Sequence, residues 1–270
     1  MTNTLHVGPN ASADINLPEM ILPPGDVAVN ASLLVSGADS TSVTKIDTDN
    51  VYLATESGGI GARGVTADTQ GNIYVADSRR LVKIAPDGTT SYISLNFTPD
   101  VLVSDSKDNI YSLGLTSKQL YRITSAGTVS QFAQSDRIIR GVVVDNEDRV
   151  YVVDDSGTLS QVLSDGSLKT INTVGSPWPR GLTMDGFGNF YILNRFGFEK
   201  HVITKIGQDS VSSNFFDRAI FEFEGFNVTA DCSNNLLFAP MHLPPHIEHS
   251  EETTVVQLVG DTGETRTVLY

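Results

Sequence analysis

The feature that most constrains this chain is a run of four short predicted strands in residues 64–93, GVTADTQGNIYVADSRRLVKIAPDGTTSYI. An apolar inner strand ends at Asp68, and the polar residues after it are typical of a turn. The second and third strands are predicted at 73–76 and 81–85. Pro86, Asp87 and Gly88 then form a hairpin turn before the fourth strand. A lone four-stranded sheet cannot bury both of its faces, so it needs similar sheets on either side.

The same pattern recurs along the chain at intervals of about 40 residues, a spacing that is typical of repeat proteins. In each copy an Asp or Asn ends the inner strand, at the position that Asp68 occupies in the first example. These residues are Asn30, Asp105, Asp145, Asp185 and Asp231. The repeats predict an all-β fold, a six-bladed β-propeller of four-stranded antiparallel blades, because radial closure removes the exposed edges of such sheets.

The repeats assign residues 25–270 to the propeller and leave residues 1–24 as an N-terminal arm that matches no repeat position. We expect the arm to pack outside the ring and to serve a homo-oligomer or a larger assembly. Alternatively, the arm adds a strand to the ring, since residues 5–7 have the pattern of a short strand. Without such a strand, the ring is closed by blades that each come from one continuous segment.

The composition fits one closed ring and argues against two kinds of partner. The chain of 270 residues is 40% hydrophobic and carries a net charge of −14. We therefore expect no binding to nucleic acid or to an anionic membrane surface. The single cysteine, Cys232, cannot form an intramolecular disulfide. The N-terminus lacks a secretory signal pattern, so we expect a cytoplasmic protein or a part of an intracellularly assembled particle.

The order of motifs in residues 64–88, Gly-Val, Asp, Gly-Asn-Ile-Tyr-Val and Asp-Gly, resembles an NHL repeat. The resemblance extends over residues 25–270 and implies the architecture of a six-bladed propeller. NHL-type propellers include binding modules as well as lyases and lactonase-like enzymes, so the resemblance alone does not select a function.

Three arginines occupy the same repeat position, five residues before the Asp that ends an inner strand: Arg63, Arg140 and Arg180. This position lies at the face that carries the longer loops, where binding sites concentrate. We expect the three guanidinium groups to converge at the mouth of the central channel and to bind an anionic ligand or partner. Alternatively, Asp100 and Glu224 pair with them and the cluster is structural.

Trp178 lies between two prolines in the blade crossing that precedes Arg180. An exposed Trp beside an Arg suits stacking on a ligand or anchoring of a protein partner. Packing over the gap between two blades is the alternative interpretation.

The segment APMHLPPHIEHSEETT, residues 239–254, supplies candidate metal ligands in His242, His246, Glu248 and His249. Its prolines exclude a regular helix, so the four-residue spacing of two of the histidines is not a helical ligand pair. Lyases that resemble NHL propellers use a catalytic His with a Glu-x-His pair and a bound cation. Here Glu and His are adjacent, which departs from that pattern.

Two classes of function remain from the sequence. The first, which we favour, is a non-catalytic binding or assembly propeller without a cofactor, acting as a scaffold for protein partners, for example in a virion. The second is a metal-dependent lyase or hydrolase of the streptogramin-lyase-like or lactonase-like type, with a divalent metal ion. The lack of a recognisable catalytic set favours the first.

Overall fold

The computed structural model describes residues 64–114, 116–175, 178–196 and 200–218, and separate strands on either side of these ranges. All regular elements among the described residues are β-strands. In chain order they are β1 (Asn3–Val7), β2 (Leu33–Gly37), β3 (Val43–Ile46), β4 (Val65–Ala67), β5 (Ile73–Asp77), β6 (Arg80–Ile84), β7 (Thr90–Ser94), β8 (Pro99–Ser104), β9 (Ile110–Gly114), β10 (Gln119–Ile123), β11 (Val129–Gln134), β12 (Ile139–Val144), β13 (Val150–Asp154), β14 (Thr158–Val162), β15 (Leu168–Thr173), β16 (Pro179–Met184), β17 (Phe190–Phe196), β18 (Lys200–Ile206), β19 (Ser212–Arg218), β20 (Val228–Ala230), β21 (Leu236–Phe238), β22 (Val255–Val259) and β23 (Thr265–Leu269).

Strands that follow each other in the chain pair antiparallel in five four-stranded sheets, of which four lie within residues 65–218. We call these sheets blade A (β4–β7), blade B (β8–β11), blade C (β12–β15) and blade D (β16–β19). The first strands of successive blades lie side by side, so the sheets are arranged radially around these inner strands, as in a β-propeller. Strands β20–β23 form a further sheet of the same order, whose inner strand lies beside that of blade D.

The N-terminal segment contributes a strand, which the sequence left open as an alternative to a free arm. Strand β1 pairs with β2 in parallel, and β2 pairs with β3 antiparallel. Strand β1 also lies beside β4 and β20, the inner strands of blade A and of the β20–β23 sheet. Residues 8–32 lie outside the described residues, so the boundary between arm and propeller at residue 25 stays a prediction.

The hydrophobic core is divided among the gaps between blades. Between blades A and B, Tyr74 and Leu81 pack with Leu102, Ile110 and Ile123. The gap between blades C and D is filled in the same way, with Tyr151 and Leu159 of one blade against Leu182 and Ile192 of the other. Each fully buried Leu or Ile contributes roughly 1.5–3 kcal/mol, so packing between neighbours is what stabilises the radial arrangement.

The inner strands of blades C and D approach each other so closely that one of them needs glycine. A Cβ atom at Gly141 would lie 2.7 Å from the Cβ atom of Leu182, closer than such atoms pack. Any side chain at Gly141 would therefore push strands β12 and β16 apart. This close approach also fixes the relative height of the two strands along the channel.

The repeated Asp organises the turn after each inner strand. Asp105 Oδ1 accepts hydrogen bonds from the backbone N–H groups of Lys107 and Asn109, at 2.9 and 2.8 Å. Its Oδ2 accepts from the Asn109 side chain at 2.8 Å and from the Tyr111 hydroxyl at 3.1 Å. Three more turns have the same arrangement, with Arg149 as the side-chain donor in one of them. They are the turns of Asp68, Asp145 and Asp185.

Burial of these tyrosines beside a carboxylate shifts their acid–base equilibrium. Burial, then the charge of Asp105, raises the pKa of Tyr111 to about 12. Burial and Asp145 raise the pKa of Tyr151 to about 12. The folded chain therefore keeps both hydroxyl groups protonated as hydrogen-bond donors.

Two of these turns also bind the turn of the preceding blade. Asp108 Oδ1 accepts hydrogen bonds from the backbone N–H of Thr69 at 2.8 Å and from its hydroxyl at 2.9 Å. One blade further, Asp148 accepts from the backbone N–H of Ser106 at 2.8 Å and forms an ion pair with Lys107 at 2.8 Å. We call Asp108 and Asp148 the clip residues. Both have a positive φ, 62° and 60°, which favours Asp, Asn or Gly.

Most of the strands predicted in residues 64–93 are confirmed to within one residue, and Gly88 takes the positive φ of 83° that its turn requires. The all-β class with four-stranded antiparallel sheets is confirmed for the described residues. No helix in the described part of the chain is long and apolar enough to cross a membrane. The inner strand that was predicted to end at Asn30 lies outside the described residues.

Candidate functional site

The antiparallel order of the blades places their loops on two faces. The Asp-anchored turns and the hairpins after the third strands lie on one face. The loops after the second strands and the crossings between blades lie on the other, which we call the candidate face. Its described parts include residues 116–118 of one loop, the crossings 95–98 and 135–138, and residues 174, 175 and 178 of a third crossing. In blade D the second and third strands form an extended hairpin, in which Arg195 pairs with His201.

The structure describes two of the three predicted arginines. Arg140 is in β12 and Arg180 is in β16, both half-buried near the end of the strand at the candidate face. Gly141 contacts Leu182, so Arg140 lies level with the backbone just after Arg180. Arg63 lies outside the described residues, as does Glu224, which was proposed to neutralise one of the three arginines.

The two described arginines differ in their partners. Arg180 has an interaction partner, and so does Asp100, the acidic residue at the same repeat position in blade B. In contrast, the side chain of Arg140 has no ion pair or hydrogen bond within the described part of the chain. Convergence of all three arginines on one anion stays a prediction.

Trp178 is exposed on the crossing between blades C and D. The residue is 62% exposed, although Trp is usually well buried. Its φ is +80°, which is strained for a bulky residue and costs on the order of 1–3 kcal/mol. The exposed position argues against the alternative in which Trp178 packs over the gap between two blades. A strained, exposed aromatic side chain is a feature for which stability alone offers no reason.

The acidic residues of the candidate face are largely engaged in local structure. Asp77 is buried and binds Arg80 at 2.8 Å. Asp154 caps its own turn by accepting from the backbone N–H of Ser156 and Thr158. Asp155 Oδ1 is buried and lies 3.6 Å from the Arg137 guanidinium, which is beyond hydrogen-bond distance.

One fully buried polar side chain at this face has an unsatisfied oxygen. Asn194, in β17, donates from its amide nitrogen to the Ile192 carbonyl at 3.1 Å and to the Thr204 hydroxyl at 3.0 Å. Its Oδ1 has no partner among the described residues, which is costly in a buried position. Asn194 pairs with Pro179, so this oxygen lies close in the sheet to Trp178.

The described residues do not complete a metal site by themselves. No group of three or more His, Cys, Asp or Glu side chains comes together in the part of the chain described here. The predicted ligands His242, His246, Glu248 and His249 lie outside the described residues, so their arrangement stays a prediction.

Comparison with known proteins shows the fold class. No family model and no curated protein matches the chain, so the resemblance to NHL repeats has no support from a family match. Several solved structures are similar. A Staphylococcus aureus virginiamycin B lyase, bound to quinupristin, shares 15% identity over 81% of this chain and 80% of its own, with a TM-score of 0.61.

Two further structures show the same likeness. A Xanthomonas campestris gluconolactonase shares 12% identity over 77% of this chain and 75% of its own, with a TM-score of 0.59. A calcium-binding protein, regucalcin from Agrobacterium tumefaciens, shares 12% identity over 77% and 73%, with a TM-score of 0.57. At this identity the comparison establishes the fold, which is a β-propeller.

These comparisons correct two expectations from the sequence. The first, a non-catalytic binding or assembly scaffold, is contradicted because the similar structures named above include a lyase and a gluconolactonase. The second, the absence of a cofactor, is contradicted because a calcium-binding protein is among the similar structures. The sequence favoured a scaffold because it shows no recognisable catalytic set, and a set that is assembled from distant segments leaves no local motif.

Proposed function

We propose that this chain is a metal-dependent enzyme of the lyase or lactonase type, acting at the candidate face. The observation that carries the proposal is the shared propeller fold with a lyase and a gluconolactonase over about four fifths of the chain. The exposed Trp178, the free Arg140 and the unsatisfied Asn194 oxygen lie at this face, which agrees with a ligand site there.

We also propose that the propeller has six blades. The support comes from the sequence repeats and from strand β1, which lies beside both blade A and the β20–β23 sheet. In this arrangement the β1–β3 sheet fills the gap between the first and last four-stranded sheets. The N-terminal strand then closes the ring in place of a blade built from both chain ends.

The histidines are the best candidates for chemistry within this proposal. The quinupristin complex of the S. aureus lyase is of a catalytically inactive His-to-Ala variant, so a histidine is essential in that enzyme. This chain has five histidines, and His242, His246 and His249 lie within eight residues of one another. We propose that they and Glu248 hold the cation or transfer a proton. A divalent cation at such a site supplies Lewis-acid polarisation of a carbonyl oxygen.

Two kinds of cation can be distinguished by their ligands. Imidazole groups suit zinc and related transition ions, whereas calcium takes oxygen ligands almost exclusively. A site built on the histidines therefore predicts a transition ion. A site that uses the Asn194 oxygen with carboxylates predicts calcium instead.

The test combines metal analysis with two substrates. The protein is purified without chelator, its metal content is measured by mass spectrometry, and turnover is followed with gluconolactone and with quinupristin. We expect a stoichiometric divalent ion, and turnover of one substrate that is lost with chelator and restored by that ion.

Variants then separate a functional histidine from a structural one. His249→Ala and His242→Ala should abolish turnover while the melting temperature changes little. His201→Ala, in strand β18, is the matched control and should retain turnover. A protein that binds no metal and converts neither substrate would contradict the proposal.

A further inference from the structure

The crossing between blades C and D brings an aromatic ring and a free cation to the same part of the candidate face. Strands β12 and β16 touch at Gly141 and Leu182, which fixes their relative height. Arg140 is then level with residue 181, and Trp178 is three residues further toward the candidate face. At about 3.3 Å per residue for extended chain, the two backbones are separated by at most about 10 Å along the strand direction, within reach of two long side chains.

The exposure of Trp178 and the lack of a partner for Arg140 support a role in ligand binding rather than in packing. Trp178 is 62% exposed and its backbone is strained, so neither the ring nor the turn is explained by burial. Arg140 has no charged or hydrogen-bonding partner among the described residues. A guanidinium without a carboxylate partner, in a chain of net charge −14, is free to bind an anion from outside the chain.

We propose that Trp178 and Arg140 form a binding subsite for a small ligand that carries a carboxylate next to a flat ring or other apolar face. The indole ring stacks on the flat face, and the guanidinium group of Arg140 donates hydrogen bonds to the carboxylate. Arg180 lies beside the subsite and already has an interaction partner of its own, so the free cation of the subsite is Arg140.

This subsite deepens the proposed function, on which its biological meaning rests. Hydrolysis of a lactone adds water across the acyl C–O bond and leaves a hydroxyl group and a carboxylate on the opened chain. Arg140 would therefore recognise the opened product, or a carboxylate already present in the substrate. Binding itself requires neither a metal nor turnover, so it can be tested separately.

The chain offers a direct probe, because Trp178 is its single tryptophan. Intrinsic fluorescence, excited at the red edge of the indole band, therefore reports on this position alone. The ligand probe is phenylacetate, which carries a ring and a carboxylate. Phenylacetamide has the same shape without the charge, and acetate has the charge without the ring. All three are titrated at constant ionic strength, because salt screens exposed charges.

We expect phenylacetate to change the emission saturably, and the other two compounds to bind at least about tenfold more weakly. Arg140→Gln should weaken phenylacetate binding by about tenfold or more and leave phenylacetamide unchanged. Arg137→Gln is the matched control, because Arg137 is exposed on a neighbouring crossing and faces Asp155. It should bind phenylacetate like the unmodified protein.

Variants of Trp178 lack the fluorophore, so their ligand binding is measured by NMR. Saturation-transfer NMR should detect phenylacetate binding to Trp178→Phe, which keeps a ring, and not to Trp178→Ala. Equal binding of acetate and phenylacetate would overturn the proposal, as would equal weakening by Arg140→Gln and Arg137→Gln. Failure of turnover with intact phenylacetate binding would instead reject the proposed function and leave the subsite.

Discussion

At the scale of single residues, the buried Tyr–Asp pairs link the stability of the propeller to alkaline pH. The hydroxyl of Tyr111 donates to Asp105 Oδ2, and its pKa rises to about 12 from a reference value of 10.0. A pKa raised by folding means that the protonated hydroxyl is favoured in the folded state. Its stabilising effect is complete below pH 10 and is lost as the pH rises from 10 to 12.

We expect Tyr111→Phe to lower the free energy of unfolding by about 1 kcal/mol at neutral pH, the usual net value of one hydrogen bond. Above pH 10 the difference should shrink, since the wild-type protein loses a contribution that the variant lacks. Urea titrations across this pH range measure both effects. Tyr121→Phe is the control, because the Tyr121 hydroxyl binds the uncharged Gln119. A constant difference at all pH values would contradict the linkage.

The strain at Trp178 can be separated from its side chain. Gly adopts a φ of +80° without steric cost, whereas Ala does not. We therefore expect Trp178→Gly to be more stable than Trp178→Ala by about 1 kcal/mol. Chemical denaturation of the two variants provides the comparison. Equal stabilities would mean that the crossing relaxes and stores no strain.

At the scale of elements, the clip residues hold neighbouring turns together. The turn of blade D has no clip residue. Gly188 occupies the position of Asp108 and Asp148 and has a similar φ of 82°. The turn that it faces in blade C contains Glu147, where the turn that Asp148 binds contains Lys107. An Asp at position 188 would therefore meet a carboxylate, and we infer that Gly avoids this repulsion.

A double substitution tests that explanation. Gly188→Asp alone should leave stability unchanged or lower it, because the new carboxylate faces Glu147. In a Glu147→Lys background, the same substitution should stabilise by about 1 kcal/mol, since it recreates the contact of Asp148 with Lys107. Thermal unfolding of the four proteins in this cycle gives the coupling. Additive effects would show that the two positions do not interact.

Sequence patterns account for the elements much better than for these contacts. The Asp-anchored turns could be predicted because every donor lies within six residues of its Asp, as in the series from Asp68 to Tyr74. The clips could not, since Asp108 and Thr69 are separated by 39 residues and meet only after the sheets have packed. At the candidate site, residue type singled out Trp178 and repeat position singled out Arg140, but the strain of one and the missing partner of the other are visible only in three dimensions.

At the scale of the whole molecule, a change in strand β1 can test how the ring is closed. Replacing residues 2–8 by a Gly/Ser sequence of equal length removes the side chains of β1 and weakens its pairing with β2. We expect the melting temperature to fall by several degrees, because the inner strands β4 and β20 would lose a neighbour. The equal length controls for the effect of a shortened chain. An unchanged melting temperature would instead identify these residues as a free arm.

The order of the clip residues along the chain affects how the protein folds during its synthesis. Each clip residue belongs to a later blade and binds a turn that precedes it in the chain, so a blade leaves the ribosome before the residue that secures it. Blades A and B are thus secured in turn during synthesis, as blades B and C emerge. Blade C has no such clip from blade D, because Gly188 has no side chain. We infer that the nascent chain matures in steps up to blade C and that the remaining sheets dock together afterwards.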